Sequence, residues 1–449
     1  VYVIPPGSDL ALKDGRLTLL KPENARGYRL PVNFFFRSLA QDQGARAIGI
    51  VLSGTGSDGS LGLKTIKAEG GLTVAQEPET AEYADMPRNA IATRDVDYIL
   101  PPEKIFELIF KYIHHKVLDG YKRSESDFQI PIGGLQKLYY LLRSKTGHDF
   151  SLYKQNTLLR RIERRMKICL VKSIDEYVER LEQHPEEIEA LFQEMLINVT
   201  HFFRDPEAFQ VLIEKELQRL ILLKQAAHAP IRVWVAGCSS GEEAYSIAIA
   251  IQEQIEILKV DCKAQIYATD LDAEAIVDAR KGFYSDGSLE NVSTERLQRF
   301  FYQEEEGYQI KKNIRDLVVF STQNLISDPV FSKIDLLCCR NVLIYLEHEL
   351  QNQLFHQFHY SLNKDGILFL GNSESIGTNS DLFTVIDRKY KLFRRKDTVS
   401  TRRVKTSTTP LPNRILHPEP HARGNPTPAG GLREWTEKAL LEFHTPACI

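Results

Sequence analysis

Val233–Ile251, VWVAGCSSGEEAYSIAIAI, decides the fold. Ile231–Val235 reads as a buried strand, Gly237–Gly241 as a glycine-bounded turn, and Ala244–Ile255 as a helix. The same alternation continues downstream. Ala264–Ala268 is a strand ending in Thr269-Asp270-Leu271-Asp272, and Ala273–Lys281 is its helix. Leu317–Ser321, Ile334–Cys339 and Gly366–Leu370 are further strands, with a helix over Glu347–Leu362. Strands and helices in this rhythm predict an α/β fold with a doubly wound, mostly parallel sheet.

In such a sheet a ligand binds at the carboxyl ends of the strands, where the strand order reverses. Gly237 and Gly241 let the backbone approach that ligand closely. Their GxxxG spacing departs from GxGxxG, and Glu242 and Glu243 would repel a pyrophosphate. The ligand therefore tolerates negative charge, and a sulfonium such as S-adenosylmethionine suits that electrostatics. Asp270, at the end of the next strand, is placed to accept hydrogen bonds from ribose hydroxyls.

The same turn, Gly237-Cys238-Ser239-Ser240-Gly241, also satisfies GxSxG, the nucleophile elbow of α/β hydrolases. Asp335 and His348, His356 or His359 follow in the order such a triad requires. Short patterns of this kind recur by chance, so Ser239 stands as a competing reading.

Upstream, Gly133–Thr200 is helical in pattern throughout. Leu159, Ile162, Met166 and Cys169 form one apolar stripe, while Arg160, Arg161, Arg164, Arg165 and Lys167 occupy the opposite face. That face is either solvated or a docking surface for an acidic partner. At the junction, Ile197–Phe209 (INVTHFFRDPEAF) predicts a helix start with Asp205 as N-cap and Pro206 in the first turn. Residues 1–105 read as a separate α/β unit: Ala47–Ser53 is a strand, Leu61–Ala68 a helix and Leu72–Gln76 a strand. A helix over Ile105–Leu118 leaves it, and Lys122–Asp127 is a polar hinge. Residues 397–430 have linker composition.

Length and composition bound the function. The 449 residues suggest about three domains. A net charge of −3 gives no global basic excess for nucleic acid. No apolar run approaches the ~18 residues of a membrane span, so no membrane insertion is expected. Six cysteines without CxxC spacing argue against a disulfide framework or a metal site and favour a reducing, cytoplasmic setting. Adjacent Cys338 and Cys339 point to opposite strand faces as small buried hydrophobes. The chain lacks an initiator Met and ends on a helix-like LREWTEKALLEF, which predicts a piece of a longer protein.

Several of these stretches together, NVTHFFRD, AGCSSGEEAYS, ATDLD, CRNVLIY and LFLGNSES, resemble the CheR-type chemotaxis receptor methyltransferases, protein-glutamate O-methyltransferases that use S-adenosylmethionine and release S-adenosylhomocysteine. The resemblance implies a helical amino-terminal domain (128–203) and a Rossmann-like methyltransferase domain (204–396) with a small β-insertion, here Tyr302–Lys312. It implies that Asn198, Thr200, Arg204, Glu243, Asp270, Asn324, Leu325, Asn341 and Val342 contact the cofactor, beside the Gly237 turn. Arg204 and Tyr345 would lie near the transferred methyl. The partners implied are the cytoplasmic helices of methyl-accepting chemoreceptors, docked by Arg160, Arg161, Arg164 and Arg165.

Residues 1–105 resemble the carboxyl-terminal part of CheB-type receptor methylesterases through VYVIPPGSDLAL, VLSGTGSDGSLGL and AEYADMPRNAI. Asp58 falls on that family's catalytic aspartate. The segment bearing the nucleophilic serine is absent, and Asp9 stands where the histidine would be, so this portion is expected to be inactive. The whole resembles a methylesterase–methyltransferase fusion, with a linker helix over 106–127. Residues 431–449 resemble the start of a PAS-like sensory domain, which implies downstream sensory or kinase domains of the same chain as partners. A non-catalytic, cofactor-binding signalling scaffold is the alternative function.

Overall fold

The computed structural model describes residues 2–22, 30–114, 132–196, 200–289, 291–304 and 307–397. The hinge at Lys122–Asp127, Asn198, residues 305–306 of the β-insertion and the segments 398–430 and 431–449 lie outside the described residues.

Residues 2–114 begin with a hairpin of β1 (Asp9–Lys13) and β2 (Arg16–Leu20), a pairing not anticipated from the sequence. Helix α1 (Pro31–Gln43) follows. Then come β3 (Ile48–Val51), α2 (Ser60–Ala68), β4 (Leu72–Gln76), α3 (Asp85–Ala92), β5 (Tyr98–Leu100) and α4 (Pro102–His114). The sheet is parallel, in the order β3-β4-β5. Phe36, Val51, Leu63, Ile66, Ala75 and Ala90 pack between its helices.

The second unit is all helical: α5 (Ile132–Thr146), α6 (Gln155–Ile168), α7 (Ile174–Gln183) and α8 (Pro185–Met195). Leu138, Phe150, Ile162, Met166, Tyr177 and Leu191 fill its centre. Ser173 caps α7 by accepting the Glu176 amide.

In the third unit α9 (Pro206–Leu212) leads through a wider turn into α10 (Gln218–Ala226) and β6 (Ile231–Ala236). There follow α11 (Glu242–Leu258), β7 (Ala264–Asp270) and α12 (Ala273–Lys281). Short strands β8 (Phe283–Tyr284), β9 (Phe301–Glu304) and β10 (Gly307–Ile310) form the insertion, which lies between β7 and β11 (Val318–Thr322). Then come β12 (Ile334–Cys339), β13 (Leu362–Leu370), β14 (Phe383–Asp387) and β15 (Leu392–Arg395). The main sheet runs β11-β7-β6-β12-β13-β15-β14, and only β15 opposes the rest. That closing pair of strands was also missed. Its alternation is short and interrupted by the polar Asp387–Lys391 turn.

Strand alternation sets the layers. Val233 and Val235 of β6 face one core with α11, whereas Trp234 and Ala236 face the other, under helix His348–Ser361. Cys338 and Cys339 divide in the same way, and both are fully buried, as expected. The chain goes from β6 to β7 and β11 on one side, then crosses to β12 on the other, so the order reverses between β6 and β12. Among the described residues no helix is long and apolar enough to cross a membrane.

Candidate functional site: a crevice at the sheet's switch point

The carboxyl ends of β6 and β12 open into a crevice of about 1160 Å3, counting the space open at its mouth. It is lined by Thr200, Arg204, Gly237, Glu243, Asp270, Asn324, Leu325, Asn341, Val342 and Tyr345. The crevice thus gathers residues far apart in the chain, from His148 to Leu346, at the place the topology requires.

The turn after β6 is strained in a useful way. Gly237 has φ +73, and a Cβ there would meet Val342 Cγ2 at 2.4 Å, so only glycine permits this approach. Ser239 also holds positive φ, and its amide donates to Asp270 Oδ2 at 2.7 Å. The second Asp270 oxygen accepts the Asp272 amide at 2.9 Å. Burial nevertheless dominates and raises the Asp270 pKa to about 6.

Glu243, in the first turn of α11, faces Arg340, whose Nη1 lies 3.1 Å from Oε2. Desolvation raises the Glu243 pKa, against the opposing pull of Arg340 and Arg204. Arg340 Nη2 also donates to Asp205 Oδ2 at 2.7 Å and to the Arg204 carbonyl at 3.0 Å. This guanidinium is completely enclosed, and it stacks over Phe209 and Phe369. Asp205 therefore serves as an ion-pair partner. It makes no side-chain cap on α9, contrary to expectation, because its backbone sits at φ +60 and its carboxylate turns to Arg340.

Beyond β12, Glu374 accepts the amides of Val342, Leu343 and Gly371, which fixes the turn carrying Tyr345. The helical unit roofs the crevice through His148 and Tyr153. Its Leu152–Lys154 segment is stitched to that turn, with Lys154 N donating to the Tyr345 carbonyl and Glu347 N to the Leu152 carbonyl. Arg340, Glu374, His148 and Tyr153 were not singled out from sequence. Arg340 sits inside the CRN triplet directly after β12, and that position was the available signal.

The crevice fits a cationic, donor-rich nucleoside. Asn341 Oδ1 and Gln323 Oε1 are buried without a hydrogen-bond donor among the described residues, and both residues line it. Those two orphaned acceptors call for donors, and Arg340 Nε beside them is an orphaned donor among the described residues. The carboxylates of Glu243 and Asp270 make the lining tolerant of a cation, so a sulfonium nucleoside with an ammonium group suits it.

Other expectations are corrected. Asp335 accepts the Arg232 amide and pairs with Lys224 at the amino end of β12, the edge opposite Ser239. With Asp335 at that far edge, and His359 Nε2 bonded to the Lys396 carbonyl, the Ser239–Asp335–His arrangement does not form among the described residues. The arginine stripe of α6 is not a free docking face. Arg164 is buried, bonded to Glu194 Oε2 at 2.7 Å, to Asp97 and to the Gly71 carbonyl. Arg161 donates to the carbonyls of Glu194 and Ala68, and Arg165 pairs with Glu187. The cause is that residues 68–71 and 97–98 pack on α6, with Tyr98 donating to the Ile168 carbonyl at 2.6 Å. Of the four arginines only Arg160 is exposed. Asp58 accepts the amides of Val32 and Asn33 at 3.0 and 2.9 Å and so closes the start of α1 from across the turn.

A chain built this way is a fused architecture: a methylesterase-like segment, a helical unit and a methyltransferase fold with a switch-point crevice. Family models agree, matching "CheB methylesterase" over 1–109, "CheR methyltransferase, all-alpha domain" over 134–196 and "CheR methyltransferase, SAM binding domain" over 198–392. A chemotaxis protein methyltransferase of Borreliella burgdorferi is 32% identical over 263 residues, covering 57% of this chain and 93% of the relative. A putative methyltransferase of Pseudomonas putida is 34% identical over 282 residues, covering 61% and 99%. An uncharacterised 104.1 kDa protein of Rhodobacter capsulatus is 36% identical over 413 residues, 88% of this chain, which spans 43% of that relative. The chain belongs to the CheR family of S-adenosylmethionine-dependent chemotaxis methyltransferases, with a CheB-type segment ahead of it.

Proposed function

We propose that this protein transfers a methyl group from S-adenosylmethionine to glutamate side-chain carboxylates of methyl-accepting chemoreceptors. The observation that carries the reading is the switch-point crevice, where Glu243, Asp270 and an unsatisfied Asn341 carbonyl stand beside Arg204 and Tyr345. When bound, the cofactor supplies an activated methyl on a sulfonium. Gly237, Glu243, Asp270, Asn341 and Val342 would hold it, with Thr200, Asn324 and Leu325 at its edges.

A receptor glutamate, with a pKa of about 4.3, is already a carboxylate at neutral pH, so no strong general base is needed. The chain's task is positioning and exclusion of water, a contribution that can reach roughly 7–11 kcal/mol. Arg204 orients the incoming carboxylate, and Tyr345 shapes the slot beside it. Burial raises the Tyr345 pKa, so its hydroxyl stays protonated and able to donate. Receptor docking falls to surface other than the buried part of the α6 stripe, with Arg160 as its remaining exposed arginine. The methylesterase-like segment serves a structural role: both Asp58 oxygens are occupied by backbone amides.

The test is calorimetric titration with S-adenosylhomocysteine, with Asp270→Ala as control, followed by labelled methyl transfer to a receptor cytoplasmic fragment. Label released as methanol by alkali identifies a carboxyl ester. One-to-one binding without transfer to any receptor would instead leave a cofactor-binding scaffold.

A further inference from the structure

His148 and Tyr153 come from the helical unit, yet both line the crevice, and His148 is only 2% exposed. Their hydrogen-bond directions can be deduced. Ile326 N donates to Asn324 Oδ1 at 3.0 Å, which orients the amide. Asn324 Nδ2 then lies 2.9 Å from His148 Nδ1. An amide N–H meeting a ring nitrogen requires that nitrogen to accept, so the neutral ring carries its proton on Nε2. Nε2 is 3.0 Å from the Tyr153 hydroxyl, which must therefore accept. The hydroxyl's own proton has to point elsewhere. Among the described residues no acceptor for it is found, and the crevice is what its surroundings leave open.

We infer that Tyr153 donates a hydrogen bond to an acceptor on the nucleoside half of the cofactor, and that His148, set in one tautomer by Asn324, positions it. The inference rests on the function proposed above. Tyr153 shares the crevice with Asp270, the residue suited to ribose, and lies close enough for that carboxylate to act on its hydroxyl through charge, which puts the donor on the nucleoside side. Burial lowers the His148 pKa to about 4, and a second ring proton would face the Asn324 amide donor directly. The relay therefore keeps one direction across the neutral range. A helical domain that supplies a cofactor contact makes cofactor affinity depend on its docking to the sheet.

The experiment is calorimetry on the whole chain with two probes, S-adenosylhomocysteine and 5′-methylthioadenosine, which lacks the amino-acid half. Tyr153→Phe is expected to weaken both by the same factor, roughly three- to tenfold, as one hydrogen bond is worth. His148→Leu should match that loss, and the double variant should lose no more than either alone. His148→Gln, which can both accept from Asn324 and donate to Tyr153, should bind nearly as the parent does. Thermal melting of each variant separates misfolding from lost contact, and the Gln variant keeps the test open if Leu unfolds. Unchanged affinity in Tyr153→Phe, or a loss confined to S-adenosylhomocysteine, overturns the inference alone. Absence of binding by the parent chain overturns the cofactor reading and this inference with it.

Discussion

Arg340 and Glu243 face each other across the floor of the crevice, Nη1 to Oε2 at 3.1 Å, with the arginine entirely shut off from solvent. The pair ties the end of β12 to the start of α11, the two elements that flank the switch point. Its charge balance is local, because Arg340 also holds Asp205. Removing the cation would leave Glu243 buried beside an empty space. Arg340→Met is expected to cost about 3–5 kcal/mol of stability in urea unfolding. Arg340→Lys should recover only part of this, since an ammonium cannot bridge Glu243, Asp205 and the Arg204 carbonyl in one plane.

Arg204 carries the opposite expectation. It lines the crevice without enclosing a core, so Arg204→Ala should leave the unfolding midpoint nearly unchanged. Turnover at saturating cofactor should fall by about 100-fold or more, the scale on which losing one positioned electrostatic donor is felt. Near-normal turnover would remove Arg204 from the mechanism.

Asp270 predicts a pH dependence with a definite sign. Its folded pKa, about 6, stands above the ordinary 3.8, so between those values the native state holds more protons than the unfolded one. Its contribution to stability therefore falls as pH rises from about 4 to 6 and is at its least favourable above that window. Binding runs the other way, because ribose hydroxyls need the ionised carboxylate. S-adenosylhomocysteine affinity should weaken as pH drops from 7.5 to 5.5, by about threefold to fourfold for a pKa near 6. Asp270→Asn should bind more weakly and lose that slope; a slope that persists would place the titrating group elsewhere.

The α6 arginines separate into two kinds. Arg164→Ala leaves Asp97 and Glu194 without their shared cation and should destabilise by about 3–5 kcal/mol. Arg160→Ala should stay within about 0.5 kcal/mol. Equal, small effects at both sites, measured by denaturant unfolding, would restore the stripe to a solvent-facing surface.

These contrasts show where local pattern stops. The strands and helices around Val233–Ile251 were legible because a continuous apolar run, a glycine turn and a helical repeat are encoded within twenty neighbouring residues. The crevice position was legible as well, since parallel connectivity places it at the strands' carboxyl ends. Gly237, Asp270 and Asn341 could be read as site residues because each stands at or just beyond the carboxyl end of a strand, and Glu243 because it stands in the first turn of the helix after the glycine turn.

What the local sequence could not carry was decided by pairs far apart in the chain. Arg164 reads as a solvated charge in its own helix, and becomes a buried ion because Asp97, 67 residues earlier, folds against it. Arg340 meets Asp205 across 135 residues, and Asn324 meets His148 across 176. Helical and strand periodicities report which face of an element is apolar, a property of residues a few positions apart. Which body covers that face, and which hydrogen bond fixes a side chain, depends on long-range packing, and there only the tertiary structure decides.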